Sequence, residues 1–515
     1  MSDDDRRSPT PPRKRRKINS NSNLPAKPPA PSNRLPALPP TPPLPTSQTG
    51  SYAPQQLNVA QPQIFRFPIE PLNRFQGTST TIKRPREIAH FSYNENHEYR
   101  QDESGICYYH IPEMGADLCE GFDTFRHYED KEDPHLDSLL KALVAKEKET
   151  GEKLEADFVT WRGMMTKIMT APYDMFAEFN MLATLYDNTI FIEEDFSAKS
   201  AERAAEASQS SHSRTASRPP HPDQPSREMM TYWGYKFETL CMLPEPVTPS
   251  TPREVLAARR TAPVSNYAQH CSIVRTGIGS HTLILGGEVD GLLAPKTPST
   301  STSAADAPPI PWVELKTSEQ LPPHPTRRDL VRYERKLLKF WAQSFLLGVE
   351  KVVVGFRSKA GILKGLDVYE TARIPGMVRR GTRCWDGNVC VNFAAGFLGW
   401  LRGVVLEEAG RGGGGVWRVR LRRRGGVVEV QRVEGSFGEG KGRMGGIVSR
   451  EFLEWREGGR GGGGGCEGRG EGRRGSGEYG EDGGGTITGR EGHWSLKIVN
   501  VHVVLDDVCR MTNIP

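Results

Sequence analysis

The residues whose types and spacing could do chemistry lie in Gly286-Gly287-Glu288-Val289-Asp290-Gly291 and in Val313-Glu314-Leu315-Lys316-Thr317. In a β-strand alternate side chains share a face, so Glu288 and Asp290 are expected to project together, as are Glu314 and Lys316. Three carboxylates and one ammonium would then converge. Carboxylate oxygens suit a hard divalent cation such as Mg²⁺ or Mn²⁺, which polarises a phosphoryl oxygen and helps to deprotonate water. Lys316 could orient that water or balance developing charge. Such a layout is that of a metal-dependent phosphodiester hydrolase. An exposed hairpin with ordinary charges is the competing reading, but each pair is flanked by apolar residues, Leu283, Ile284 and Leu285 before one and Trp312 and Val313 before the other.

The elements around these pairs must form a core. The chain has 515 residues, 36% of them hydrophobic, with 40 Pro and 54 Gly, so one sizeable domain with disordered extensions is the simplest fit. Its 68 basic and 63 acidic residues leave a net charge of only +5, so polyanion binding has to come from local patches. The eight cysteines are dispersed with no Cys-x-x-Cys pair, which argues against a zinc ribbon or a secreted disulfide scaffold and for a reducing compartment. The N-terminus lacks the apolar core of a signal peptide, and the run Phe393 to Leu401 is too short to span a bilayer. A soluble, intracellular protein without membrane partners is expected.

Residues 1–62 form a proline-rich arm that cannot bury enough apolar surface to offset chain entropy. Within it Arg13-Lys14-Arg15-Arg16-Lys17 reads as a nuclear-import signal, with a solvated charge run or weak RNA contact as the alternative. The catalytic domain is placed at 63–457, with flexible insertions at 196–227 and 294–311, and a Gly/Arg-rich tail at 458–515. That tail is either an RNA-binding tract or sequence that no folded domain requires.

Inside the domain, Leu139, Leu140 and Leu143 at helical spacing predict an amphipathic helix over Leu136 to Lys148. Phe158 to Gly163 reads as an apolar strand ending in Arg162, whose guanidinium could grip a phosphate or serve as a structural ion-pair partner. Arg227 to Leu243 is helical, with Met230, Trp233 and Phe237 buried and Glu238 at the edge of that face. Cys271 to Val274 is a strand. Asp329 to Gly348 is a strong helix carrying a polar Gln343 among bulky apolar neighbours, followed by the buried strand Lys351 to Phe356. Two strands, Val416 to Leu421 and Val427 to Val433, suggest a basic hairpin, and Phe452 to Trp455 a last packed element. The order helix, strand, strand, helix, strand suits an α/β core with a mixed sheet flanked by helices.

These residues resemble the DXO family of RNA 5′-end decapping nucleases, in particular its fungal nuclear branch, the Rat-one-interacting proteins. The resemblance runs from about Phe65 to Arg456. It rests on Thr160-Trp161-Arg162-Gly163 followed by Thr166-Lys167, on Gly234-Tyr235-Lys236-Phe237-Glu238, on the two acidic motifs, and on Lys336 to Phe345. It implies a fold like the PD-(D/E)XK nucleases with the site in a central cleft. It further implies metal ligation by Glu238, Asp290, Glu314 and the Leu315 carbonyl, with Glu288 ligating directly or through water. Lys316 would position the attacking water, and Arg162, Gln343 and Cys271 would line the RNA path, with Glu288 and Lys316 also touching substrate. Some relatives carry Arg where His97 stands. The activity implied is metal-dependent hydrolysis of triphosphates, incomplete caps and NAD caps at RNA 5′ ends. A nuclear 5′→3′ exoribonuclease partner and a nuclear location are implied as well. A non-catalytic RNA-binding scaffold is the alternative; intact acidic ligands and Lys316 favour the enzyme.

Overall fold

A computed structural model describes residues 63–213, 225–297, 308–412, 414–433 and 442–458. The proline-rich arm, the tail beyond 458 and most of the 294–311 loop lie outside the described residues. What positions the site is a pair of mixed sheets between helices. Among the described residues the larger sheet has ten strands and the smaller six.

At the middle of the larger sheet lies His281–Glu288, parallel to Phe158–Trp161 and antiparallel to Gln269–Ile278. Leu283, Ile284 and Leu285 are all fully buried because both faces of this strand are covered. Leu283 and Leu285 pack into the main core with the helices Arg327–Leu347 and Gly387–Gly410; Ile284 packs on the other side with Leu139 and Leu140 of the helix Asp137–Thr150. Each such side chain contributes about 1.5–3 kcal/mol relative to exposure. The smaller sheet is built on Trp312–Glu319, parallel to Lys351–Arg357, which pairs in turn with Leu363–Glu370.

Local sequence explains the helix limits. Thr326 and Asp329 form a reciprocal capping box at the start of Arg327–Leu347, and Gly348 ends that helix at φ 75°. Gly151 closes Asp137–Thr150 in the same left-handed way, at φ 69°.

Several expectations are corrected. Glu288 and Asp290 do not share one strand: the strand of the larger sheet ends at Glu288, and Gly291–Leu292 already pairs with Trp312 and Val313 in the smaller sheet. The acidic motif is therefore the crossing between sheets. Arg162 is the first residue of the helix Arg162–Thr170 and not the end of a strand, because the backbone turns helical directly after Trp161. Phe196–Ser213 is helical where a flexible insertion was expected over 196–227; its Ala, Glu, Lys and Arg residues are good helix formers. Met230 is 45% exposed while Tyr232, Trp233 and Phe237 form the buried face of Arg227–Cys241. The apolar run from Phe393 sits within a 24-residue helix long and apolar enough by composition to cross a bilayer. In this fold its Phe393, Phe397 and Leu401 are fully buried, two of them against Phe67. Phe452 anchors a final helix, Arg450–Gly458.

Candidate active site

The site forms at the seam where the chain leaves one sheet for the other. Gly291 stands opposite Val313 in the register, which sets Asp290 beside Glu314 and Leu315. Asp290 Oδ2 accepts the Leu315 amide at 2.5 Å. On Trp312–Glu319, Glu314 is 2% exposed and its Oε1 lies 2.5 Å from Lys316 Nζ. Helix Arg227–Cys241 delivers Glu238 from the other side; Gly355 lets it approach, since a Cβ there would stand 2.5 Å from Phe237 Cε2.

Arg162 completes the group. Its Nη2 donates to the Glu288 carbonyl at 3.2 Å, and its Nη1 lies 3.8 Å from Glu314 Oε1. That approach depends on Gly287, where a Cβ would sit 3.0 Å from Arg162 Cβ and 2.8 Å from Leu347 Cδ1. Cys271 is buried directly across from Glu288 in the register, and burial pushes its thiol up. Gln343 is half-buried on the helix Arg327–Leu347 and has no hydrogen-bond partner among the described residues.

The electrostatics ask for a cation. Burial, and then the charge of Asp290, hold the Glu238 carboxyl well above the usual carboxylate range. Burial and the Glu314 charge push Asp290 up to about 7. Desolvation raises Glu288 as well, against the pull of Arg162, although its side chain reaches the surface. Burial would also raise Glu314, but Lys316 and Arg162 outweigh it and its carboxyl falls below the usual range. Lys316, which burial would depress, is raised by Glu314 and Asp290. Four carboxyls thus share two cationic side chains, and the buried Glu314 Oε2 and Arg162 Nη1 have no hydrogen-bond partner. An all-oxygen donor set with an orphaned carboxylate oxygen fits a hard divalent metal.

One neighbour of the carboxyls, Tyr235, was given no role by the motifs. Tyr235, half-buried, has its phenol pushed up to about 12 by burial and by Glu288 and Glu238. His97 is held at φ 61° and stacks between Tyr93 and Tyr128, with ring centroids 4.1 and 3.7 Å away. Two tighter acid–histidine groups lie outside this set, Asp133–His135–Glu193 and Glu87–His90–Glu103. Each has internal compensation: His135 Nδ1 is 3.0 Å from Glu193 Oε1, and Lys296 bridges Glu87 and Glu103 at 3.0 and 2.6 Å.

Beside the second group His270 is 3% exposed, with Nδ1 3.0 Å from Ser92 Oγ and Nε2 unpartnered. Burial depresses its pKa from 6.5 to about 4. A depressed histidine stabilises the fold above its unfolded pKa, and that contribution drains away as pH falls from 6.5 towards 4. The loss amounts to about 3 kcal/mol by pH 4. Urea unfolding across this range is expected to show that slope in the wild type and a shallower one in His270→Gln.

Arg162→Ala is expected to slow cleavage roughly ten- to a hundredfold, since a charge-assisted hydrogen bond is worth about 1.5–3 kcal/mol. Arg162→Lys should restore only part, a point charge replacing a planar fork. Steady-state kinetics beside thermal melts check this. A melting loss of equal energy with unchanged kinetics would assign the guanidinium to holding Glu314 in place.

Comparison with known proteins gives a consistent picture. A family model described as RAI1 like PD-(D/E)XK nuclease matches residues 83–453. The chain is 46% identical to the decapping nuclease RAI1 of Aspergillus fumigatus over 395 residues, covering 76% of this chain and 98% of that relative. It is equally 46% identical to the protein of the same name from Emericella nidulans over 393 residues, with 76% and 98% covered. Among solved structures, Candida albicans Rai1 in complex with pU5-Mn²⁺ superposes with a TM-score of 0.66 at 26% identity, covering 77% of this chain and all of that one. Scheffersomyces stipitis Rai1 with (3′-NADP)⁺ and calcium ion gives 0.65 at 28% identity, covering 74% and 98%.

Proposed function

Because this chain belongs to the RAI1-like PD-(D/E)XK nuclease family, we propose that it is a metal-dependent hydrolase of RNA 5′ ends, removing pyrophosphate from triphosphates and excising incomplete and NAD caps. The observation that carries this reading is the convergence of Glu238, Glu288, Asp290 and Glu314 with Lys316 and Arg162 at one seam. An RNA-binding scaffold would not require four mutually repelling carboxyls crowded round the buried Glu314, a repulsion that Lys316 and Arg162 offset only in part and a bound cation would relieve. A fungal relative solved with pU5 and Mn²⁺, and another solved with (3′-NADP)⁺, support an RNA end and a dinucleotide-like cap as ligands.

In this mechanism Glu238, Asp290, Glu314 and the Leu315 carbonyl would hold Mg²⁺ or Mn²⁺, with Glu288 contributing directly or through water. When bound, the metal supplies Lewis acidity at the scissile phosphate and lowers the pKa of a coordinated water. Lys316, held by Glu314, orients the attacking water and offsets negative charge as it develops. Arg162, ion-paired with Glu314, holds the phosphate with its guanidinium. Gln343 offers an uncommitted amide to the RNA, and Cys271 forms the apolar wall beside Glu288.

The same reading extends to the cell. The basic cluster at Arg13 to Lys17 directs the protein to the nucleus, where it binds and stimulates a 5′→3′ exoribonuclease through a surface apart from the seam. Incubating the protein with 5′-labelled RNAs bearing triphosphate, unmethylated cap or NAD, with and without Mg²⁺ or Mn²⁺, tests the chemistry. End-specific products that vanish in chelator are expected. RNA binding without any product would leave the scaffold.

A further inference from the structure

Beyond the seam, a cavity of about 700 Å³ opens between Ile82–Tyr93 and Gln269–Ile278, closed at one side by Pro308, Pro309 and Ile310. Its origin is a pair of register breaks in Ile82–Tyr93, between Lys83 and Arg86 and between Glu87 and Ala89, with Pro85 inside the first. Bulges bend a strand away from its neighbour and re-aim its side chains. Here they gather Lys83, Arg84, Arg86 and Arg275 around one opening, with Arg86 directly opposite Arg275 in the register.

The carboxylate among the lining residues does not offset Lys83, Arg84 or Arg275. Glu87 is already engaged by Lys296 and Ser272, and those contacts with His90 draw its pKa down to about 2 against the effect of burial. Lys83, Arg84 and Arg275 are exposed and have no ion-pair partner among the described residues. The rim is thus basic and the walls are apolar, with Pro85, Ile88, Pro308, Pro309 and Ile310 contributing. At the inner end stands Leu347, which also packs on Gly287, where Arg162 approaches from the same side. The cavity thus lies one buried side chain, Leu347, away from the Gly287 backbone on which Arg162 also packs.

We propose that this cavity binds the single-stranded body of the RNA whose 5′ end occupies the seam. Lys83, Arg84 and Arg275 take successive phosphates, and the prolines and Ile310 support sugars and bases without reading sequence. An RNA chain is the favoured ligand because it brings regularly spaced negative charge together with flat apolar faces, and because a substrate held at Arg162 has to continue past it. The inference rests on the RNA-end reading above, and the test separates the two.

The experiment is fluorescence anisotropy of a long 5′-hydroxyl oligo(U) and of a trinucleotide on the full chain in chelator, across graded potassium chloride. It is paired with hydrolysis of a 5′-triphosphate trinucleotide with Mn²⁺. Changing Lys83, Arg84 and Arg275 together to Gln should weaken the long RNA about tenfold or more. The slope of log K against log salt should fall by about two, at roughly 0.7 per phosphate contact. Trinucleotide binding and hydrolysis should stay as in the wild type. Pro309→Lys, an exposed addition of charge, should steepen the slope for the long RNA by about 0.7. An unchanged slope in both variants overturns the proposal. So does loss of exoribonuclease capture with long-RNA binding intact, which would give this face to a protein partner. Failure of the wild type to hydrolyse any 5′ end would instead remove the RNA-end reading while leaving the salt slopes to judge the cavity.

Discussion

Asp290→Asn is expected to reduce hydrolysis by at least about a thousandfold while the fold persists and, in chelator, melts no lower than the wild type. The activity loss follows from the chemistry: a divalent metal supplies several kcal/mol of transition-state charge stabilisation, and each 1.36 kcal/mol is tenfold in rate. The stability outcome follows from the site. Asp290 is half-buried beside Glu314, and desolvation together with the Glu314 charge pushes its carboxyl up to about 7. An amide of the same shape keeps an oxygen for the Leu315 N–H and drops the repulsion. Activity assays with Mn²⁺ and thermal melts in chelator check both halves. Turnover that survives the substitution, or survives chelation of the wild type, would remove the metal from the mechanism.

Lys316→Met should be the next most damaging change, lowering kcat about a hundred- to a thousandfold with little effect on KM, as expected for a preorganised group acting on charge that develops in the transition state. It has a structural cost too. Lys316 Nζ lies 2.5 Å from the buried Glu314, and removing one member of a buried pair costs about 3–5 kcal/mol. The double variant Lys316→Met with Glu314→Gln is expected to recover much of that stability and none of the activity. If Lys316→Met lost stability but kept its kcat, Lys316 would be only a structural partner of Glu314.

Much of the site was legible beforehand, for physical reasons. Glu314 and Lys316 are two apart on a strand, so their common face needed no further information, and the structure brings them together. The apolar run Leu283-Ile284-Leu285 marked a strand covered on both sides. Arg227–Cys241 and Arg327–Leu347 announced themselves through helical spacing. Glu238 could be set only at the edge of its helix by periodicity; its place among the carboxylates came from the resemblance and agrees with the charges that surround it.

Other features were out of reach because they depend on which sheet a residue joins. A two-residue repeat has the same pattern whether the chain continues in one sheet or crosses to another, so Glu288 and Asp290 were read as neighbours on a single face. The pairing of Gly291 with Val313 decided otherwise. Arg162 presented the same difficulty: the helix starts directly after Trp161, one residue before the Gly163 that would mark a strand end. The stack of His97 between Tyr93 and Tyr128, and the basic cavity at the bulged strand, bring together residues far apart in sequence or off regular register.

By itself, then, the sequence determined the donor chemistry, the strands and helices that carry it, and the mixed α/β class, because these follow from side-chain type and local periodicity. Only the tertiary structure decided that the acidic motif bridges two sheets, that Arg162 leans on Glu314, and that Gly287 and Gly355 are bare so that helices can close on the seam. Those are matters of long-range pairing and packing distance, in which a single Cβ changes what can approach.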